Sequence, residues 1–201
     1  SSVDAATITN NLTHAERNMG CTLAFRGQIA AGDAARAIGF MEQYMRDNAS
    51  EIGEPASGSP TGRICFDSPG GDLAETLQFL DFLLTGDSRN IDTYNGSFFF
   101  KTAVADGGTC LSSCALLFLS GTNRLLEDVY SIDFGGGARL LHPRAELGFH
   151  SPSLPNVPDG LTAQQVRDIF SLGAQAVSEI VRVRDEYPGY MSDALFEVWT
   201  S

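Results

Sequence analysis

The sequence predicts an α/β fold built on a largely parallel sheet. Short β-rich apolar runs alternate with stretches whose apolar residues recur at helical spacing. The junctions between them are rich in Gly, Pro, Ser and Asp. Alternation of this β-α-β-α kind folds as parallel strands joined by helical crossovers. A chain of 201 residues is long enough for one domain with a sizeable core. No internal repeat or linker divides it, so residues 1–201 are read as a single domain.

The elements follow in order. "CTLAFRGQI" (21–29) alternates as a strand ending at Gly27. "GDAARAIGFMEQYM" (32–45) is helical, with Asp33 as the expected N-cap and Ala34, Ile38, Met41 and Met45 on one face. "ASEIGEPASGSPTG" (49–62) is a polar loop. "RICFD" (63–67) is a short apolar strand that runs into "SPGGD". Asp72 is placed to cap a second helix, with Leu73, Leu77, Leu80 and Leu84 on one face. "FFFKTAVA" (98–105) is a β-rich run that leads to "TCLSSCALLFLSG" (109–121), where a short buried helix is expected to stop at Gly121. Residues 122–146, with hairpin-like pieces and "FGGGA" (134–138), read as an insertion or flap. "AELGFHSP" (145–152) is another short strand. Thr162 caps the longest helix, whose stripe is Val166, Ile169, Phe170, Val177, Ile180 and Val181, and Pro188 ends it. A last helical turn or two spans about 192–199.

Composition narrows the function classes. The formal net charge is −12, and Lys101 is the only lysine. Such a chain, with no basic stripe, suits neither nucleic acid nor an anionic membrane surface, and its charge favours solubility. No apolar stretch approaches the roughly 20 residues needed to cross a bilayer. The chain opens "SSVDAATITN", as a mature or trimmed N-terminus would. Four cysteines, Cys21, Cys65, Cys110 and Cys114, are compatible with two disulfides in an oxidising compartment. Buried free thiols are the alternative. A zinc site fits poorly: one C-x3-C pair stands without a C-x2-C pair or a nearby histidine.

Ligands of parallel α/β sheets sit at the carboxyl ends of the strands. Three predicted strand ends carry suggestive chemistry: Ser68-Pro69-Gly70-Gly71, the stretch Cys110–Cys114, and His150. A Pro-Gly-Gly step is by itself a plain turn. Between a buried strand and a capped helix, its glycines can also turn a backbone N–H into a cleft and stabilise an oxyanion. A serine at a strand-to-helix junction is commonly an N-cap. As a nucleophile it also needs a base within reach and N–H donors for the tetrahedral intermediate. Of the three histidines, His14 lies in a polar stretch and His142 in the expected insertion, which leaves His150, at the end of an apolar strand, as the candidate base.

"DSPGGDLAETLQFL", "CLSSCALLFLSG" and "LGFHSP", in this order, resemble the proteolytic subunit of Clp protease (ClpP) and its periplasmic relatives in the ClpP/crotonase superfamily. "GQI" (27–29) resembles the turn after that family's first strand. The resemblance spans roughly residues 20–200, and its strongest parts cover about 30 positions. It implies a β-α-β spiral with a mostly parallel sheet flanked by helices. The family's nucleophile lies nine residues before the glycine after its helix, which selects Ser112, with Ser113 as the lesser choice. The resemblance further implies His150 as base and an oxyanion hole from the N–H of Gly70 or Gly71 together with that of Ser113. Cys110 and Cys114 stand about one helical turn apart, so a disulfide between them is geometrically conceivable. Cys21 and Cys65, on the first two predicted strands, could form the other, although four cysteines allow three pairings.

Two departures from the family pattern stand out. The spacing from serine to histidine is longer than in ClpP, a difference the 122–146 insertion absorbs. The triad aspartate would fall near Ser201, where no Asp stands, and neither Asp193 nor Glu197 matches the motif. The family's last β-element lies past Ser201, so the sequence reads as truncated. A Ser-Lys dyad, as in signal peptide peptidase A-like relatives, is disfavoured because Lys101 precedes the serine. The expectation is thus a bacterial, periplasmic or secreted serine hydrolase, a peptidase that acts on a peptide or protein substrate without metal or cofactor. Relatives commonly assemble, which leaves a homo-oligomer open. The competing expectation is a ClpP-like binding scaffold that has lost its acid. A crotonase-type acyl-thioester enzyme is disfavoured by an acidic chain with a single lysine for coenzyme A phosphates.

Overall fold

The computed structural model describes residues 5–48, 62–85, 100–121, 138–149, 162–187 and 190–200. By its contacts the chain divides into two compact units, 1–148 and 149–201.

The first unit is a mixed α/β structure on a mostly parallel five-stranded sheet. Its strands are β1 (Thr7–Thr9), β2 (Leu23–Arg26), β3 (Gly62–Asp67), β4 (Phe100–Val104) and β6 (Arg139–Leu141), in spatial order β1-β2-β3-β4-β6. β1 is antiparallel to β2, and every other pair is parallel. A separate parallel pair joins β5 (Thr109–Leu111) to β7 (Glu146–Gly148). From β2 to β6 each strand adds on the same side of the last. The sheet therefore never reverses as a doubly wound sheet does, and crossovers of one hand bring successive helices to one face.

The register explains how the two faces differ. Leu23 pairs with Ile64 and Phe25 with Phe66. These large side chains, with Thr102 and Val104, alternate onto the face that meets helices α2 (Asp33–Asp47), α3 (Leu73–Thr85) and α4 (Ser113–Phe118). Phe25 anchors that core, with ring centroids 5.8 Å from Phe66 and 5.5 Å from Phe79. The opposite face carries the small row Ala24, Cys65 and Ala103, next to Leu140. There Cys21, Leu12, Ala15 and Met19 close over it, the last two flanking or lying in a five-residue helix, α1 (His14–Asn18). A parallel sheet buries both faces in this way.

Several local expectations change in contact with tertiary structure. Asp33 begins α2 instead of capping it; Gly32, at φ 84°, is the N-cap. The Asp33 carboxylate accepts N–H bonds from Ala30 at 2.7 Å and from Ala6 at 3.1 Å, which binds β1's approach to the turn before α2. Asp72 does cap α3, accepting from Glu75 N–H at 3.1 Å. The buried face of α3 runs through Thr76, Phe79, Leu80, Leu83 and Leu84, rotated from the all-leucine stripe. Helix α4 ends at Phe118, three residues before Gly121. Gly121 is small because a Cβ there would meet the Ala138 carbonyl at 2.7 Å and the Thr102 N–H at 2.9 Å. Of the stretch read as an insertion or flap, 122–137 lies outside the described residues, whereas Arg139–Leu141 is a strand of the main sheet.

In the second unit, α5 (Ala163–Glu186) starts with a reciprocal capping box between Thr162 and Gln165. It ends just before Pro188, as the sequence predicts. Ile180 and Val183 are buried, while Val177, from the expected stripe, is exposed. Arg184 pairs with Asp193 at the start of α6 (Asp193–Thr200) and lies 4.6 Å from the centre of the Phe196 ring. Among the described residues, no helix is long and apolar enough to cross a membrane.

Candidate active site

Ser112 occupies the sharp turn from β5 into α4. Its backbone lies at φ 56° and ψ −128°, and it is the one non-glycine residue with positive φ among those described. A β-carbon makes that region costly, by about 1–3 kcal/mol. Backbone bonds on both sides hold the turn. Ser112 N–H donates to Gly148 O at 2.9 Å, and Ala115 N–H donates back to Ser112 O at 3.0 Å. A strained strand-to-helix turn of this kind is where nucleophile elbows carry their serine. Ser112 is the N-cap of α4 by position, but its side chain makes no capping bond to the helix.

The Ser68–Gly71 turn lies directly against this elbow. Ser68 N–H donates to Thr109 O at 2.7 Å, and Leu111 N–H donates to Ser68 O at 3.0 Å. On its other side, Ile29 N–H donates to Gly70 O and Asp72 N–H to Ile29 O, each at 2.9 Å. Gly70, at φ 87°, sits so close that a Cβ would lie 2.8 Å from Ser112 Cβ and 3.1 Å from Ser113 N. Glycine here answers both to the left-handed backbone and to the approach of the serine. Two of the three expected strand ends therefore meet. The third, His150, lies outside the described residues, two positions past Gly148.

The two glycine N–H groups expected as oxyanion donors have partners of their own. Gly70 N–H donates to Ser68 Oγ at 3.1 Å, and Gly71 N–H donates to Ser113 Oγ at 3.0 Å. Ser113, 5% exposed, thus serves as an anchor between the elbow and the glycine turn, which distinguishes it from the partly exposed Ser112. Ser68, named in the strand-end motif but given no role there, is a further participant, and a Ser two residues before a Gly is a recognisable serine turn. The Gly148 carbonyl carried no side-chain signal at all.

His142, set aside because it lies in the expected insertion, is half-buried beside Asp106. Its Nδ1 lies 3.4 Å from an Asp106 oxygen and accepts Arg144 N–H at 3.2 Å. Arg144 also pairs with Asp106. This cluster precedes the Thr109–Glu146 end of the β5–β7 ladder, whereas Ser112 follows its Leu111–Gly148 end. Three strand residues, about 10 Å, separate the two.

All four cysteines are paired, Cys21 with Cys65 and Cys110 with Cys114. Both bonds fit an oxidising compartment. No protein-family model matches the chain, and no curated protein matches its sequence.

Proposed function

We propose that the protein is a periplasmic or secreted serine hydrolase of the ClpP/crotonase superfamily, acting as a peptidase with Ser112 as nucleophile and His150 as base. The observation that carries this reading is the positive φ of Ser112 with Gly70 packed against it. Ser112 Oγ forms a bond to the acyl carbon while His150 takes its proton. The proton passes to the leaving amine as the C–N bond breaks, and water then releases the acyl group by the same route. In this reading Ser113 N–H, with that of Gly70 or Gly71 released from its serine hydroxyl, is the donor set for the developing oxyanion.

A binding scaffold is the second reading. It is favoured by the Ser68 and Ser113 hydroxyls, which already accept the Gly70 and Gly71 N–H groups. A peptide-library cleavage assay separates the two. The hydrolase reading expects products from the wild type, and Ser112→Ala and His150→Ala variants at least about a hundredfold slower. Equal turnover in Ser112→Ala would contradict Ser112 as nucleophile, and no turnover in a folded wild type would support the scaffold.

A further inference from the structure

Cys110 and Cys114 stand two residues to either side of Ser112 and are joined to each other. Cys110 is the middle residue of β5, and Cys114 is the second residue of α4. Both are fully buried. The bond therefore spans the strained turn itself.

Its two ends differ in how they are held. On the β5 side, Thr109 and Leu111 bond Ser68, and Cys110 pairs with Leu147 in β7. On the helix side, the six residues of α4 are too few to persist on their own hydrogen bonds, and the helix is held by its buried packing and by the Ser113 hydroxyl, which accepts Gly71 N–H. Loop length points the same way. The stabilisation a disulfide contributes through the unfolded chain grows with the loop it closes. Cys21–Cys65 spans 44 residues and Cys110–Cys114 spans 4. The short bridge is the weaker global brace, and its effect falls on local shape.

We propose that the Cys110–Cys114 disulfide is a positioning device that holds Ser112 in its left-handed turn, so that presentation of this hydroxyl depends on the bond far more than the fold does. This rests on the reading of Ser112 as a nucleophile. A dithiol reductant opens the bond with two electrons and two protons, giving two cysteine thiols and the oxidised reductant. No covalent link across the turn then opposes relaxation of Ser112 to negative φ.

The test compares wild type, Cys110→Ala/Cys114→Ala and Cys21→Ala/Cys65→Ala. Each is assayed for the rate of fluorophosphonate labelling at Ser112 across a pH series, and for Tm. The Cys110/Cys114 variant is expected to label at least about tenfold more slowly, with the pH midpoint of labelling unchanged and the smaller fall in Tm. The Cys21/Cys65 variant is expected to lose more Tm yet label within about twofold of wild type in the folded range. Wild-type labelling in the folded Cys110/Cys114 variant overturns the proposal, as does labelling that falls with Tm in both variants. Should the Cys110/Cys114 variant not fold, wild type is titrated with dithiol and the opened bridge is mapped by alkylation mass. Labelling lost in step with Cys110 and Cys114 alkylation supports the proposal, and labelling retained after that bridge opens overturns it. A wild type with no Ser112 adduct instead removes the nucleophile reading beneath it.

Discussion

At Ser112 the backbone adopts a conformation that a non-glycine residue takes only under constraint. Everything that imposes it is a neighbour: the Gly148 carbonyl, Gly70, and the flanking disulfide. The sequence carried the residue types but not their division of labour. Ser112 and Ser113 are adjacent and identical in kind, and only tertiary contacts show one at the bend and the other tied to Gly71. That difference is testable. Ser113→Ala removes the two neutral hydrogen bonds this hydroxyl makes with Gly71, an expected loss of about 1–2 kcal/mol by denaturant unfolding, and leaves a fluorophosphonate adduct on Ser112. Gly70→Ala puts a methyl group 2.6 Å from the Leu111 carbonyl in a left-handed backbone. It is expected to cost about 1–3 kcal/mol and to abolish the adduct.

Among the elements, those with a strong apolar period were legible: β2, β3, β4, α2, α3 and the capped α5 all stand within a few residues of their predicted bounds. The short elements were not. Helix α1 carries the capping-box pattern Thr13-x-x-Glu16, but it has five residues and no stripe to announce it. Strand β6 draws its structure from β4, across a long sequence separation that periodicity does not register. Glu16 shows how such a small element is secured. Burial alone would push its carboxyl up, but bonds from Arg26 and from the Thr13 N–H and hydroxyl outweigh burial and hold it below its ordinary value of 4.5. A carboxyl lowered in the folded state stabilises fully above its unfolded value, and that stability is lost as pH falls through the folded value. Stability should therefore decline on acidification below pH 4.5. Glu16→Gln is expected to flatten that decline in urea midpoints and to cost about 1–3 kcal/mol near neutral pH.

Over the whole molecule, the one-directional sheet brings the carboxyl end of β3 to β5, and with it Ser68–Gly71 to Ser112. The sequence order of motifs anticipated this meeting, because parallel strands deliver their carboxyl ends to one side. It could not reveal the second core of small residues behind the sheet, where Cys65 reaches Cys21. By the loop-entropy estimate, the Cys21–Cys65 bond is worth about 4 kcal/mol and the Cys110–Cys114 bond about 2 kcal/mol, so the longer bridge is the brace of the sheet. The central claim concerns one hydroxyl, and the most direct measurement is site-mapped fluorophosphonate labelling of the folded, oxidised wild type. A single adduct on Ser112 that disappears in His150→Ala is the predicted result. An adduct on Ser113, or labelling of Ser112 that is indifferent to His150, would contradict it.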